Sequence, residues 1–291
     1  MHQYLKAIGF RQYNTKKKIR ELADYVTKNF DRKDSVLINE KETLLIYEKD
    51  FSEATGISVT AIEDTEGYLE LDSVFPYVKG MNCLFHENLE FERHTGNQEY
   101  SCICDENNLG IPLIFHVNNI VEYLKRKHGI FEEEFNTMIL SGLSSKGMII
   151  LPIETDECQK RREQQGNEIR NQMIDAAKAG DVEAMEQLTL EDMDTYNLVS
   201  SRSKKEDIFT IVTSYFMPYT VECDKYSVLG NIIDVSTMTN KMTGESFYYI
   251  SLECNSIQIE FTIAKEDMTG IPEVGRRFKG YIWLQGEVDC L

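Results

Sequence analysis

From Tyr226 to Val288 the sequence alternates apolar and polar residues with a period of two. Tyr248, Ile250, Leu252 and Cys254 alternate with Tyr249, Ser251 and Glu253. After the tight-turn pair Asn255-Ser256, residues Ile257, Ile259, Phe261 and Ile263 alternate with Gln258, Glu260 and Thr262. Phe278, Gly280, Ile282 and Leu284 then share one side of a last strand, with Lys279, Tyr281 and Trp283 on the other. Alternation of this kind puts every second side chain on one face, the pattern of a half-buried strand. Ahead of these lies a long apolar strand, Tyr226 to Val235, with Gly230 at a bend or bulge, and Thr243-Gly244 marks a turn. Several such strands in so short a span are expected to curl into a small closed or nearly closed β-barrel, and 291 residues leave room for a second domain.

Upstream, Tyr4 to Phe10 is a short apolar opening, either a strand ending at Gly9 or the first turn of a helix. Between Thr15 and Phe30, Ile19, Leu22, Ala23, Val26 and Phe30 fall at helical spacing. The basic residues Lys16, Lys17, Lys18 and Arg20 are read as a solvated face, with a small anion or an acidic partner as the sharper alternative. Short runs at 36–38, 43–48, 57–62 and 68–71, separated by turn residues, predict an antiparallel meander. Residues 89–94 and 99–104 predict a hairpin, 110–117 a strand running into a helix over 118–127, and 148–153 a further strand.

From about 154 the composition turns helical and acidic. Two helices, 157–178 and one from Val182 through Tyr196, are expected as an antiparallel hairpin broken at Gly180-Asp181. The segment echoes helical-repeat proteins but has no second copy at a fixed period. Ser203-Lys-Lys-Glu206 has capping-box spacing. After it, Ile208, Ile211, Val212, Tyr215 and Phe216 predict a core-packed helix ended by Pro218, with a strand as rival because of the β-branched content. The expected class is therefore α+β. It comprises a mostly antiparallel domain over 1–153, a helical segment over 154–217 and a small barrel over 218–291.

The opening Met1 to Phe10, together with 216–226 and Trp283-Leu-Gln-Gly286, resembles a full-length family of uncharacterised proteins from clostridial-type Gram-positive bacteria. That resemblance implies a bacterial cytoplasm and no catalytic residue. The glycine bend in a long first strand and Val274-Gly275-x-x-Phe278-x-Gly280-x-Ile282 give the C-terminal part a weaker similarity to oligonucleotide- and oligosaccharide-binding barrels.

Such a barrel raises single-stranded nucleic acid as a ligand. Tyr249, Tyr281 and Trp283 are stacking candidates beside Arg276, Arg277 and Lys279, and the same residues are candidates for a small ligand. Charge argues against nucleic acid. The net charge is -18, and only residues 1–40 are basic, at +4, while 208–291 carry -5. Core packing or a protein contact is the expected fate of these aromatics.

For metal, Cys83-x-x-His86, Cys102-x-Cys104 and the nearby His94 and His116 are the candidate ligands. Their spacing matches no paired zinc motif, and buried cysteines in strands are common. No nucleophile-elbow, zinc-protease, Walker or dinucleotide motif is present, so no cofactor is expected and the reading leans away from an enzyme. Glu132-Glu133-Glu134 is read as a solvated turn rather than an acid/base pair. A metal-dependent enzyme of glyoxalase-like architecture remains an alternative, although neither of its two modules offers a matching His and Glu. Seven cysteines, an odd number, fit reduced thiols. The N-terminus lacks a signal-peptide shape, and no run approaches a membrane span. The expectation is a cytoplasmic, non-enzymatic binding or regulatory protein whose partners are proteins, with no membrane attachment.

Overall fold

A computed structural model describes residues 2–86, 89–106, 109, 111–127, 135–153, 157–219 and 224–288, the side chains of His2 and 157–164 excepted. Gly110, Glu132-Glu133-Glu134 and 220–223 lie outside the described residues. The fold is α+β.

The opening is helical. Helix α1 (His2–Leu5) tightens into a 3-10 turn over Lys6–Ile8, and Gly9 at φ 80° ends it. Thr15 caps α2 (Lys16–Lys28), its Oγ1 accepting from Lys18 N at 3.4 Å. The stripe Ile19, Leu22, Ala23 and Val26 is buried on the meander β1 (Arg32–Asn39), β2 (Glu42–Asp50), β3 (Thr55–Asp64) and β4 (Leu69–Val78). These four strands form one antiparallel sheet in sequence order, as the turn residues predict.

Strand β5 (Cys83–Phe85) leads to the hairpin β6 (Glu90–Arg93) and β7 (Tyr100–Glu106), followed by β8 (Ile111–Val117) and α3 (Ile120–Lys127). Strand β9 (Thr137–Ile150) is far longer than the six residues expected at 148–153. Its Ser/Gly-rich middle, Ser141 to Gly147, hides its nature, because the two glycines there admit neighbouring side chains rather than forming a loop. A Cβ on Gly147 would collide with the Phe278 ring.

Helices α4 (Glu157–Lys178) and α5 (Val182–Arg202) form the expected hairpin, with Asp181 capping α5. Ser203 starts no helix: it is the C-cap of α5, its N–H donating to Val199 O, and Asp207 caps the single turn α6 (Ile208–Ile211). The helix predicted over 208–216 stops there. Tyr215–Pro218 is instead strand β10, paired with β11 (Lys225–Thr239). The β-branched content and a free partner strand outweigh the helical spacing.

Strand β11 is followed by β12 (Ser246–Cys254), β13 (Ile257–Ala264), the two-residue β14 (Met268–Thr269) and β15 (Arg277–Val288). The order β11-β12-β13-β9-β15 closes through a β11–β15 pairing into a five-stranded barrel. β9 runs parallel to β13 and antiparallel to β15, so the barrel draws one strand from before residue 153. Phe261 and Phe278, 4.6 Å apart, fill its centre with Ile250, Ile282 and Leu284. Both residues of the Asn255-Ser256 turn have positive φ, as a two-residue hairpin requires. β8 pairs with the end of β15 and joins the β6–β8 sheet to the barrel.

No helix among the described residues is long and apolar enough to cross a membrane.

Candidate functional site

Since Phe278, Ile282 and Leu284 point into the barrel, the alternation of β15 sends Trp283, Gln285 and Glu287 outward, against the meander. Gln285 lies opposite Ser141 on β9 and beside His116 on β8. Its Nε2 donates to Pro76 O on β4 at 2.8 Å. His116 sits between the rings of Phe75, at 4.6 Å, and Trp283, at 5.2 Å. Burial pulls its pKa down to about 3, so the imidazole is neutral, and its Nε2 has no hydrogen-bond partner among the described residues. The same holds for Ser58 Oγ, Ser141 Oγ and Gln285 Oε1. A polar seam thus runs between the meander and the barrel, where apolar packing is the ordinary solution.

The seam opens into a cleft of about 500 Å³ between β1–β2 and the start of α3, lined by Arg32, Asp34, Ile46, Glu48, Asn118 and Glu122 among others. On its meander side lies an ionic network. Arg32 donates from Nε to Glu48 at 2.9 Å, from Nη1 to Asp50 at 3.0 Å and from Nη2 to the Tyr77 hydroxyl at 2.8 Å. The Tyr77 hydroxyl donates to Asp50 at 2.5 Å, and Lys79 donates to the same carboxylate at 2.9 Å. Burial would raise the Asp50 pKa, but the donors Arg32, Tyr77 and Lys79 outweigh it and hold the carboxyl at about 2. Burial, reinforced by Glu48, pushes the Glu287 carboxyl the other way, above its ordinary range. Lys125 of α3 pairs with Asp34 at 2.8 Å across the mouth.

Two adjacent asparagines at the floor behave differently. Asn119 closes a ring with the barrel, donating to Val288 O at 2.7 Å and accepting from Val288 N at 2.9 Å. Asn118 is 5% exposed, and neither its amide oxygen nor its amide nitrogen has a partner among the described residues.

The residues singled out in the sequence fall elsewhere. Trp283 is 7% exposed, packed on Tyr4 and donating to Asp224 at 2.6 Å. Its cover is the N-terminal helix. Tyr249 is buried, its hydroxyl donating to Lys79 O. Arg277 is buried and donates to the carbonyls of Leu151, Val212 and Phe209. Lys279 lies 4.4 Å over the Phe209 ring, Arg276 pairs with Glu273, and Tyr281 stacks on Tyr219 at 4.0 Å. These six form no single open face.

Cys102 and Cys104 share a buried face of β7, and burial pushes the Cys104 thiol up to about 12. Cys83 is exposed on β5, and His86 hydrogen-bonds Asp105 O. Among the described residues no three His, Cys, Asp or Glu side chains gather in a way that could hold a metal.

A second surface stands apart from the seam. Helices α4 and α5 pack mainly on each other and lie beside β7 and β8, where Lys178 at the turn end approaches Asp105 at 3.7 Å and Arg170, Ile174, Leu188 and Asp192 line a groove with Ile111 and Pro112. Along α5, Val182, Met185, Met193 and Tyr196 recur at helical spacing and are all exposed, Tyr196 at 73%. Leu190 and Leu198 add further exposed apolar area.

Reasoning on sequence missed the cleft because its groups come from β1, β2 and the β8–α3 junction. The one local signal was Asn118-Asn119 straddling the end of a strand and the start of a helix.

Residues 5–286 match the family described as "Domain of unknown function, E. rectale Gene description (DUF3881)", and the chain belongs to that family. No curated protein and no solved structure matched it.

Proposed function

We propose that this family member is a non-enzymatic binding protein of the bacterial cytoplasm whose partner is another protein, docked on the exposed stripe of α5. That stripe is the observation that carries the reading. A helix in a folded protein normally turns its apolar stripe toward a core, and α5 turns Val182, Met185, Met193 and Tyr196 to solvent. α5 carries five acidic side chains and one basic. Like charge disfavours a second copy of the same helix, so the partner presents apolar side chains flanked by Lys and Arg. The four described cysteines are free thiols, three of them buried, which supports a reducing compartment.

The test compares the full chain with Met193→Glu/Tyr196→Glu as baits in bacterial lysate. Captured proteins are identified, purified and titrated against both forms. Expected is one partner that binds the parent directly, weakens by about tenfold or more with the double variant, and weakens with added salt. A set of proteins recovered equally by both baits, or none by either, refutes the reading.

The strand order and orientations support kinship with oligonucleotide- and oligosaccharide-binding barrels, with β9 supplied from earlier in the chain as the closing strand. Such barrels read ligands on their second and third strands. Here the corresponding strands are β12 and β13, and their outward residues Tyr249, Ser251, Glu260 and Thr262 are all buried. Glu260 accepts from Met81 N at 3.1 Å, Asn82 Nδ2 at 2.5 Å and Ser251 Oγ at 3.1 Å. A strand face spent on the protein's own chain, with a carboxylate at its centre, does not favour nucleic acid.

A further inference from the structure

We infer that the cleft between β1–β2 and the start of α3 binds a small uncharged or cationic molecule whose planar head carries an amino group beside a hydrogen-bond acceptor, the chemistry of amino-substituted heterocycles. The cleft, at about 500 Å³, has the size of an ordinary small-molecule site. Asn118 at its floor is the informative group. A buried amide without partners is costly, and native folds nearly always pair such atoms. Its neighbour Asn119 shows the usual outcome, with both amide atoms satisfied by Val288. An unpaired asparagine offers one acceptor and two donors in a single plane, so its complement is a planar edge with a donor beside an acceptor.

Charge narrows the class. Asp31, Asp34, Glu48 and Glu122 line the cleft against Arg32 and Lys33. The Lys33 ammonium lies 5.1 Å over the Tyr47 ring, and Tyr47 belongs to the cluster beneath α2, on the far side of the sheet. The Arg32 fork is already engaged by Glu48, Asp50 and Tyr77. Asp31 is engaged by Lys49 and Asp50 N, Asp34 by Lys125 and Glu48 by Arg32, so what remains for a ligand is the Glu122 carboxylate and the Asn118 amide, groups that accept N–H donors and disfavour an anion. Ile46 and Val121 supply apolar wall for a ring.

The test is calorimetric titration of the full chain with adenosine and cytidine as amino-bearing probes, N6,N6-dimethyladenosine as the probe whose amino hydrogens are replaced, and adenosine monophosphate as the anionic one. Asn118→Leu removes the amide. Glu122→Lys reverses charge at an exposed position that carries no fold risk. Expected is saturable binding of adenosine or cytidine at about 1 mM or tighter, with N6,N6-dimethyladenosine and the monophosphate at least about tenfold weaker. Both variants lose about tenfold or more. No saturable binding of either amino probe, a monophosphate bound as tightly as its nucleoside, or variants that bind like the parent would each overturn the proposal.

Discussion

Leucine placed at Asn118 and, separately, at Asn119 has opposite consequences for stability if Asn118 is kept for a ligand. The two side chains are adjacent, nearly isosteric with leucine and close to the same cleft. Asn119 forms a two-bond ring with Val288, a fully buried residue near the end of β15. Removing it forfeits two hydrogen bonds, each worth about 0.5–1.5 kcal/mol net, and strands a buried backbone N–H, which costs about 1–3 kcal/mol more. Asn119→Leu is therefore expected to destabilise by roughly 3 kcal/mol. Asn118→Leu breaks no protein hydrogen bond and removes an unpaired buried amide. It is expected to gain roughly 1 kcal/mol, the lower end of the cost of an orphaned polar group. In a chain of this size each kcal/mol moves Tm by about 2–4 °C. Asn118→Leu should melt about 2–4 °C above the parent, and Asn119→Leu about 6–12 °C below it. Calorimetric melts at neutral pH, with urea titrations for the free energies, measure both. A loss of about 1 kcal/mol or more for Asn118→Leu would show that its amide is a structural bond. The case for a ligand would then lose its main support.

Two further perturbations probe what surrounds the site. Arg277→Met removes a buried guanidinium that ties α6 and the end of β9 to the barrel through three carbonyls. It should cost about 3 kcal/mol or more and speed proteolysis within 203–214, and an unchanged cleavage rate would show that the clamp is idle. The buried neutral His116 gives stability a pH dependence of known sign. Its folded pKa of about 3 lies below the ordinary 6.5, so its contribution is complete above 6.5 and is lost as pH falls from there toward 3. His116→Leu should flatten that slope in urea titrations between pH 6.5 and about 4, and an unaltered slope refutes the assignment.

The parts of the fold legible in the sequence are those whose partners are near in the chain. The meander, the β6–β7 hairpin and β12–β13 are joined by short turns and alternate cleanly, so local pattern and tertiary role agree. β9 pairs instead with strands more than a hundred residues downstream, and its glycines are dictated by the side chains they face, Phe278 over Gly147 and Ile282 over Gly142. Nothing local distinguishes such a stretch from a loop. Residues 208–216 failed in the other direction. Their helical spacing was real, yet Tyr215–Pro218 found an open strand to pair with. The cleft was illegible for the first reason. Arg32, Glu48 and Asn118 are unremarkable charged or polar residues until the sheet, the barrel and α3 bring them together. Trp283 and the basic residues near it were conspicuous by type, but type alone does not say whether a side chain faces water.

The fate of Trp283 also explains why the proposed sites lie away from the barrel. A bare barrel of this order would offer β12 and β13 as its reading face. In this chain the N-terminal helix and residues 79–82 lie on that face, with Tyr4 against Trp283, Lys79 O accepting from Tyr249, and Met81 and Asn82 donating to Glu260. The same contacts anchor the meander to the barrel and make the polar seam between them. Covering the face therefore creates the cleft at its rim, where β1 and β2 overhang the β8–α3 junction without closing on it. The barrel acts as a frame that fixes Gln285 and Glu287 of β15 along the seam, with Gln285 beside His116 of β8. Among the described residues, the two surfaces proposed for other molecules are the cleft, sized for a small one, and the α5 stripe, sized for a protein. They share no lining residue, so Asn118→Leu should leave partner capture intact, and Met193→Glu/Tyr196→Glu should leave nucleoside binding intact.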